Sequence, residues 1–315
     1  IIYVTTEHIK IKNTRTDSYL SDSDTKKIFP PNKQTGDYIL ICRLKPKISD
    51  EIPGDIATLK GHVDGLGSQL FSALPNNVAE IVEPSLVARG IHVFSNASAF
   101  RRIAGIPLVI PEINPEDMKS YYGHACATNC TVVPVITPII GLKSLGLVSI
   151  TIHTRQALSG AGWRLLQDEE ALAGNVNPMI PGEEEKLIAE LKYLLGMEIP
   201  VIASCNRVPE RDGHFVSCGV EVEKETSIEE VLRLMDIPSL DLPSSPDLVN
   251  NIIEDSPNRD DHLWIGDGMS TTVGNIRVDG NIIRFDALSH NTVRGAAGGV
   301  ILLAEFAVKE SYITK

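Results

Sequence analysis

Glycine is missing from the first 35 residues of this 315-residue chain, although 24 glycines occur after that point. An α/β enzyme that binds a dinucleotide usually spends its first glycines on the turn between its first strand and helix; residues 1–35 hold no such turn. Net positive charge is also missing: 29 Lys and Arg stand against 41 Asp and Glu, for a net charge of −12. That balance argues against a general nucleic-acid binder, because nothing offsets phosphate repulsion. No apolar run reaches the roughly 18 residues of a membrane span, and residues 1–12 carry no signal-peptide pattern. Cysteine is sparse and odd in number, five scattered along the chain. This is a poor disulfide framework and points to a reducing compartment, cytoplasm or organellar matrix. Cys126 and Cys130 lack a matching Cys or His pair at zinc-finger spacing. What remains is ordinary globular usage, 43% hydrophobic and 22% charged.

The apolar pattern divides the chain in two. Ile1–Val4 and Tyr38–Cys42 read as strands, with a polar stretch over residues 7–35 between them. Gly61 to Gly67 contains spaced glycines but no G-x-G-x-x-G, and reads as a loop. Gln69 to Ala73 is a strand that stops at Pro75, followed by a helix from about Asn77 to Ala88, an end at Gly90 and a strand at Ile91–Ser95. Strands alternating with helices imply parallel β-α-β units. From Thr131 the texture changes. Thr131–Leu142 predicts a helix kinked or shortened by Pro134 and Pro138. Leu147–His153 alternates as a strand, Glu183 opens an amphipathic helix, and Phe215–Val222 is a second strand. Ser227–Leu234 predicts a short helix, and the Pro-rich stretch from Asp236 to Pro246 an excursion. A hairpin turns at Asp279-Gly280, and a last helix covers about Arg294–Val308. This second part reads as α+β with a mostly antiparallel sheet.

Several residues carry chemistry in outline. Cys130 sits at the start of the Thr131–Leu142 helix, where partial positive charge favours a thiolate; a cysteine in such a place is, by itself, more often an inert buried thiol. His214 closes a charged loop ending Asp212-Gly213 and is the best acid/base candidate, although a lone loop histidine is usually just solvated. Gln156 through Gly162 and His290 through Gly299 are glycine-rich, fitting either close approach to a ligand or close packing.

Together these blocks resemble the aspartate-β-semialdehyde dehydrogenase family, and its archaeal and fungal-like branch in particular. The matching blocks are Phe71-Ser72-Ala73-Leu74-Pro75, Ser95-Asn96-Ala97-Ser98 with Arg101, and Pro107 through Glu116. They continue with Asn129-Cys130-Thr131, Gln156 through Gly162, Gly182 through Lys186, Cys205 through His214, and Ser289 through Gly299. The resemblance covers roughly residues 68 to 308. It implies an incomplete Rossmann-like parallel-sheet domain, residues 1–128 and 289–315, lacking its first β-α unit and its Gly-rich loop. The same resemblance implies an α+β substrate and dimerisation domain over 129–288.

The implied reaction is the NADP-dependent, reversible reductive dephosphorylation of β-aspartyl phosphate to aspartate semialdehyde through a cysteine thioester, with NAD as the alternative cofactor. Residue by residue, the resemblance makes Cys130 the nucleophile, His214 the acid/base and Gln156 the group that orients the substrate. Arg207 is implied to hold the substrate carboxylate and Glu183 the amino group, while Arg101, Lys186 and Asn129 form the phosphate site. Ser72, Gly160, Gly162 and Asn291 are implied to line the cofactor. Ala127-Thr128 stand where the family has Asn-Pro before the Asn-Cys pair. The implied partners are the small-molecule substrate, phosphate and further copies of the chain, as a homodimer or homotetramer. Two other readings stand beside it: a non-catalytic descendant serving as a subunit of a larger assembly, supported by the missing loop, and a malonyl-CoA reductase-like enzyme.

Overall fold

The computed structural model describes residues 38–42 and 69–313. The expected strand at Ile1–Val4, the polar stretch over 7–35 and the loop Gly61–Gly67 lie outside the described residues. The chain groups into two units. In described residues, the first holds 38–42, 69–109, 116–127 and 300–313, and the second holds 110–115 and 128–299. This differs from the expected division at 128 and 289, because 110–115 and 289–299 group with the second unit.

The first unit is a parallel sheet of four strands in the order β1 (Tyr38–Cys42), β2 (Gln69–Ala73), β3 (His92–Ser95) and β4 (His124–Cys126). Helix α1 (Asn76–Val87) makes the crossover from β2 to β3. Pro75, with φ −57°, leads into it, and the helix continues through Pro84. Its apolar stripe of Ala79, Val82 and Leu86 packs on Leu70, Leu74 and Val93. Each such fully buried Leu or Val contributes about 1.5–3 kcal/mol.

The second unit is a mixed six-stranded sheet, built from β5 (Leu147–Gln156), β6 (Val201–Arg207), β7 (His214–Val222), β8 (Asn250–Ile252), β9 (Thr271–Asp279) and β10 (Ile282–Ser289). Their order is β6-β5-β7-β10-β9-β8. The β5–β7, β7–β10 and β10–β9 pairs are antiparallel, and the edge pairs β5–β6 and β8–β9 are parallel. The expected mostly antiparallel sheet is therefore present. β5 runs three residues beyond the predicted His153, because Thr154 and Gln156 keep the inward alternation; Thr154 pairs with both neighbours and Gln156 with β6. β6 escapes a reading by alternation: it is an edge strand in which only Cys205 and Arg207 are buried.

Helices α2 (Val133–Ile139), α3 (Glu183–Leu195) and α4 (Ile228–Met235) join one large core with the sheet's inner side chains. That core contains Val135, Ile136 and Ile139 of α2, Leu187, Leu191, Leu194 and Leu195 of α3, and Ile150, Ile152, Val216, Val220 and Phe285 of the strands. α2 is short as its prolines predict, and passes into a 3-10 turn at Ile140. α3 starts on three glutamates that favour the positive end of its dipole and stops at Gly196, whose φ of +60° closes the last turn. Ser227 caps α4 by accepting the Glu230 N–H. The opposite face of the sheet presents polar side chains, among them His153, Ser217, Arg277, Arg284 and Asp286, around a shallow concavity. The last helix, α5 (Gly298–Lys309), follows a π-helical turn at Val293–Ala297.

Candidate active site

Three strands of the second unit end at one place. Gln156 closes β5 beside Arg207, which closes β6, and the antiparallel pairing of Arg155 with Phe215 sets His214, the first residue of β7, next to them. All three side chains point to the helical side and are buried, His214 completely. Cys130 enters from the turn that leads into α2, and its Sγ lies 3.2 Å from His214 Nε2.

The other ring nitrogen of His214 decides the tautomer. Nδ1 accepts the backbone N–H of Ala157 at 3.1 Å, so the neutral ring carries its proton on Nε2, facing the sulfur. Burial holds the imidazole far below its ordinary range, to about 3, and the neighbouring Arg207, Arg259 and His290 push the same way. The ring is therefore neutral at physiological pH. Cys130 Sγ also lies 3.5 Å from Asn129 Oδ1, an acceptor for the thiol proton.

The acidic side of the site comes from α3. Glu183 Oε1 accepts three hydrogen bonds, from Asn129 Nδ2 at 2.9 Å, Thr131 Oγ1 at 3.1 Å and Gln156 Nε2 at 3.2 Å. Two turns later on the same helix face, Glu190 accepts the Asn129 backbone N–H at 2.6 Å. Asn129 also takes the Thr131 N–H on Oδ1 at 3.0 Å, so the residue before Cys130 is held at its backbone and at both ends of its amide. Arg207 donates through Nη1 to the Ala157 carbonyl at 2.5 Å. Its guanidinium sits among Cys130 and Glu183, whose charges favour its charged form, while burial works against it more strongly and lowers its pKa.

Cys130, His214, Gln156, Arg207, Glu183 and Asn129 thus converge, as expected. Gly160 joins them: a Cβ there would stand 2.8 Å from Arg207 Nη1 and 2.9 Å from His214 Cε1. Gly162, with φ +89°, faces open space. Gly160 thus lets the backbone pack directly on Arg207 and His214, where a side chain would collide. Asn291 is close by but spends its amide on the protein, accepting the Gly213 N–H at 2.8 Å and donating to Ser159 Oγ at 2.8 Å. It ties the 157–162 and 208–213 loops together. Lys186 is exposed on the first turn of α3. Arg101 and Ser72 belong to the first unit, where Arg101 donates to the Asn96 carbonyl at 2.8 Å and the fully buried Ser72 donates to Glu83 at 2.5 Å.

Two side chains of the site, Thr131 and Glu190, are not among those expected from sequence. Glu190 had a signal: it interrupts the apolar stripe of Leu187, Leu191 and Leu194, where a charge needs a partner. The Ala157 backbone has no such signal, since any residue supplies an N–H.

Comparison with known proteins gives these positions a context. Residues 68–121 match the family model described as semialdehyde dehydrogenase, NAD binding domain, and residues 136–294 match semialdehyde dehydrogenase, dimerisation domain. The aspartate-semialdehyde dehydrogenase of Archaeoglobus fulgidus is 41% identical over 276 residues, covering 80% of this chain and 79% of that protein. The malonyl CoA reductase (NADP) of Metallosphaera sedula is 29% identical, covering 78% of each. Among solved structures, the aspartate semialdehyde dehydrogenase with NADP from Candida albicans superposes with a TM-score of 0.66 at 29% identity, covering 79% of each chain.

Proposed function

Because the chain belongs to the aspartate-semialdehyde dehydrogenase family, we propose that it interconverts β-aspartyl phosphate and aspartate semialdehyde with NADP, through a thioester on Cys130. The observation that carries this reading is the Cys130–His214 pair, at 3.2 Å, with the proton of the neutral ring directed at the sulfur. A non-catalytic descendant would have no need of a buried histidine held in one tautomer beside a cysteine.

The residues divide the work. The Cys130 thiolate adds to the aldehyde carbon, forming the C–S bond, and the carbonyl π pair moves onto oxygen. His214 Nε2–H donates a hydrogen bond to that oxygen, and does so again when the reverse reaction returns the negative charge to it. Arg207 holds the substrate carboxylate in its planar fork, already oriented by the Ala157 carbonyl. Glu183 turns Oε1 toward three protein donors, and Oε2 takes the substrate ammonium. Gln156, fixed through its Nε2, sets the substrate against the sulfur. Lys186 and Asn129 are assigned to the phosphate. When bound, NADP supplies a hydride acceptor at Gly160 and Gly162, and NAD is the alternative.

A homodimer or homotetramer belongs to the same reading, supported by the match to a dimerisation domain and by the open polar face of the six-stranded sheet. Among the described residues no helix is long and apolar enough to cross a membrane. Malonyl-CoA is the competing substrate, from the similarity to the Metallosphaera sedula enzyme. Glu183 favours the amino acid, because malonyl-CoA has no ammonium to meet that carboxylate.

The test is phosphate-dependent NADPH formation from aspartate semialdehyde by the purified protein, beside its Cys130→Ala variant. Wild-type turnover is expected and the variant should lose at least about 10³-fold, or roughly 4 kcal/mol of transition-state stabilisation. Turnover near the wild-type rate in Cys130→Ala removes Cys130 as nucleophile, and activity confined to malonyl-CoA transfers the reading to the competing substrate.

A further inference from the structure

The π-helical turn at Val293–Ala297 lies directly behind the nucleophile. Its Gly295 N–H bonds the His290 carbonyl and its Ala297 N–H the Thr292 carbonyl, each five residues back and each at 3.1 Å. Such turns widen a helix by one residue and persist mostly where the altered direction is used. Here the direction brings Gly295 onto Cys130. A Cβ at Gly295 would stand 2.5 Å from Cys130 Cβ and 2.8 Å from Cys130 Cα. These atoms lie at the root of the cysteine, with no flexible end that could swing aside.

The neighbouring residue anchors the turn. Arg294 is buried, and its Nη2 lies 2.8 Å from Oε1 of Glu112, also buried, with side chains 2% and 0% exposed. Glu112 sits in a short turn locked on itself, where Asn114 Oδ1 accepts the Ile110 N–H at 2.9 Å and the Ile110 carbonyl accepts the Ile113 N–H at 2.8 Å. A buried ion pair is a weak source of stability compared with apolar packing, and its better-attested use is to fix one register among alternatives. Without that register the turn has no reason to keep its extra residue at Gly295.

We propose that Glu112, Arg294 and Gly295 form a positioning device for the nucleophile: the ion pair fixes the π turn, and the turn presses bare backbone against Cys130 to set where its sulfur points. None of the three touches substrate in this assignment. It rests on the reading of Cys130 as the nucleophile, and deepens it.

The test compares Gly295→Ala and Glu112→Gln with the wild-type enzyme. It measures kcat and KM for aspartate semialdehyde, the pH dependence of iodoacetamide labelling at Cys130 by peptide mass spectrometry, and thermal unfolding as a check of fold. In folded Gly295→Ala, kcat should fall at least tenfold, KM should stay within threefold, and the pH midpoint of Cys130 labelling should move. Glu112→Gln, nearly isosteric, should change both quantities in the same direction by less, and carries the test alone where Gly295→Ala does not fold. A folded variant with wild-type kcat and a wild-type labelling profile overturns the assignment. Labelling needs no turnover, so the positioning effect is read even where Cys130→Ala retains activity and the catalytic reading fails.

Discussion

Glu83 on α1 and Glu190 on α3 occupy the same kind of place, one in each unit. Each interrupts an apolar stripe, Glu83 between Val82 and Leu86 and Glu190 between Leu187 and Leu191, and each is almost fully buried. Their partners differ. Glu83 ties strand to strand: it accepts Ser72 Oγ of β2 at 2.5 Å and Ser95 Oγ of β3 at 2.8 Å, and pairs with His124 Nε2 of β4 at 2.9 Å. Glu190, with Glu183 two turns before it, instead holds the turn that carries Cys130. A buried carboxylate closed on strand side chains supports the sheet. A pair of carboxylates on one helix face, one of them only partly buried, supports a reaction in the function proposed above.

Breaking each network should therefore produce opposite symptoms. Glu83→Gln replaces the carboxylate that meets Ser72, Ser95 and His124 with an amide and should cost about 1–3 kcal/mol of stability, the usual result of weakening buried hydrogen bonds to a charged acceptor. Urea unfolding measures this, and kcat of the folded fraction should stay within about twofold, a change near 0.4 kcal/mol. Ser72 makes the experiment sharper, since family resemblance assigns it to the cofactor while its hydroxyl is spent on Glu83. A tenfold rise in KM for NADP in folded Glu83→Gln would break the comparison, because the network would then serve the ligand as well as the sheet.

Glu183→Gln is the counterpart. Its amide oxygen can still accept from Asn129, Thr131 and Gln156, so stability should fall by less than about 1 kcal/mol. The charge proposed to meet the substrate ammonium is lost, and kcat/KM should drop about a hundredfold, or about 2.7 kcal/mol. Steady-state kinetics beside urea unfolding separates the two. A loss of several kcal/mol in stability with little loss of kcat/KM would make Glu183 a structural residue like Glu83.

The same contrast explains what could be read before any coordinates. Cys130, Gln156, Arg207 and His214 stand in wording specific to the family, Gln156 and Arg207 end strands and His214 begins one, so order along the chain sufficed to name them. Most strands and helices were legible for a simpler reason: β5 and β7 alternate, β2 is an apolar run that stops at a proline, and β9 and β10 flank an Asp-Gly turn, while α1 and α3 repeat their apolar residues at helical spacing. Edge elements escaped, β6 because an edge strand buries few side chains and β4 and β8 because three residues cannot show a period. Glu83 and Glu190 escaped because the charge of a helical Glu defaults to the solvent face, and only the stripe around it marks it as buried. Gly295 carried half of its message: its lack of a side chain announced a close approach, but the partner, Cys130, is 165 positions away and emerges only in the fold.

His214 ties stability most directly to the site. Its pKa is lowered from an ordinary 6.5 to about 3 in the folded protein, by burial first and by Arg207, Arg259 and His290 after it. Between those values the unfolded chain binds a proton that the folded chain refuses, so unfolding takes up protons and stability falls as pH falls. The contribution is fully present above about pH 6.5 and is lost progressively down toward about pH 3, at no more than about 1.4 kcal/mol per pH unit. His214→Asn removes the titrating group, so the stability of wild type relative to this variant should decline between pH 6.5 and pH 4 and stay level between pH 7 and pH 8. Urea unfolding at each pH gives that difference. A difference that is flat across the acid range would mean that the folded protein accepts the proton, and so that the Nδ1 bond to Ala157 does not hold the ring in its Nε2–H form.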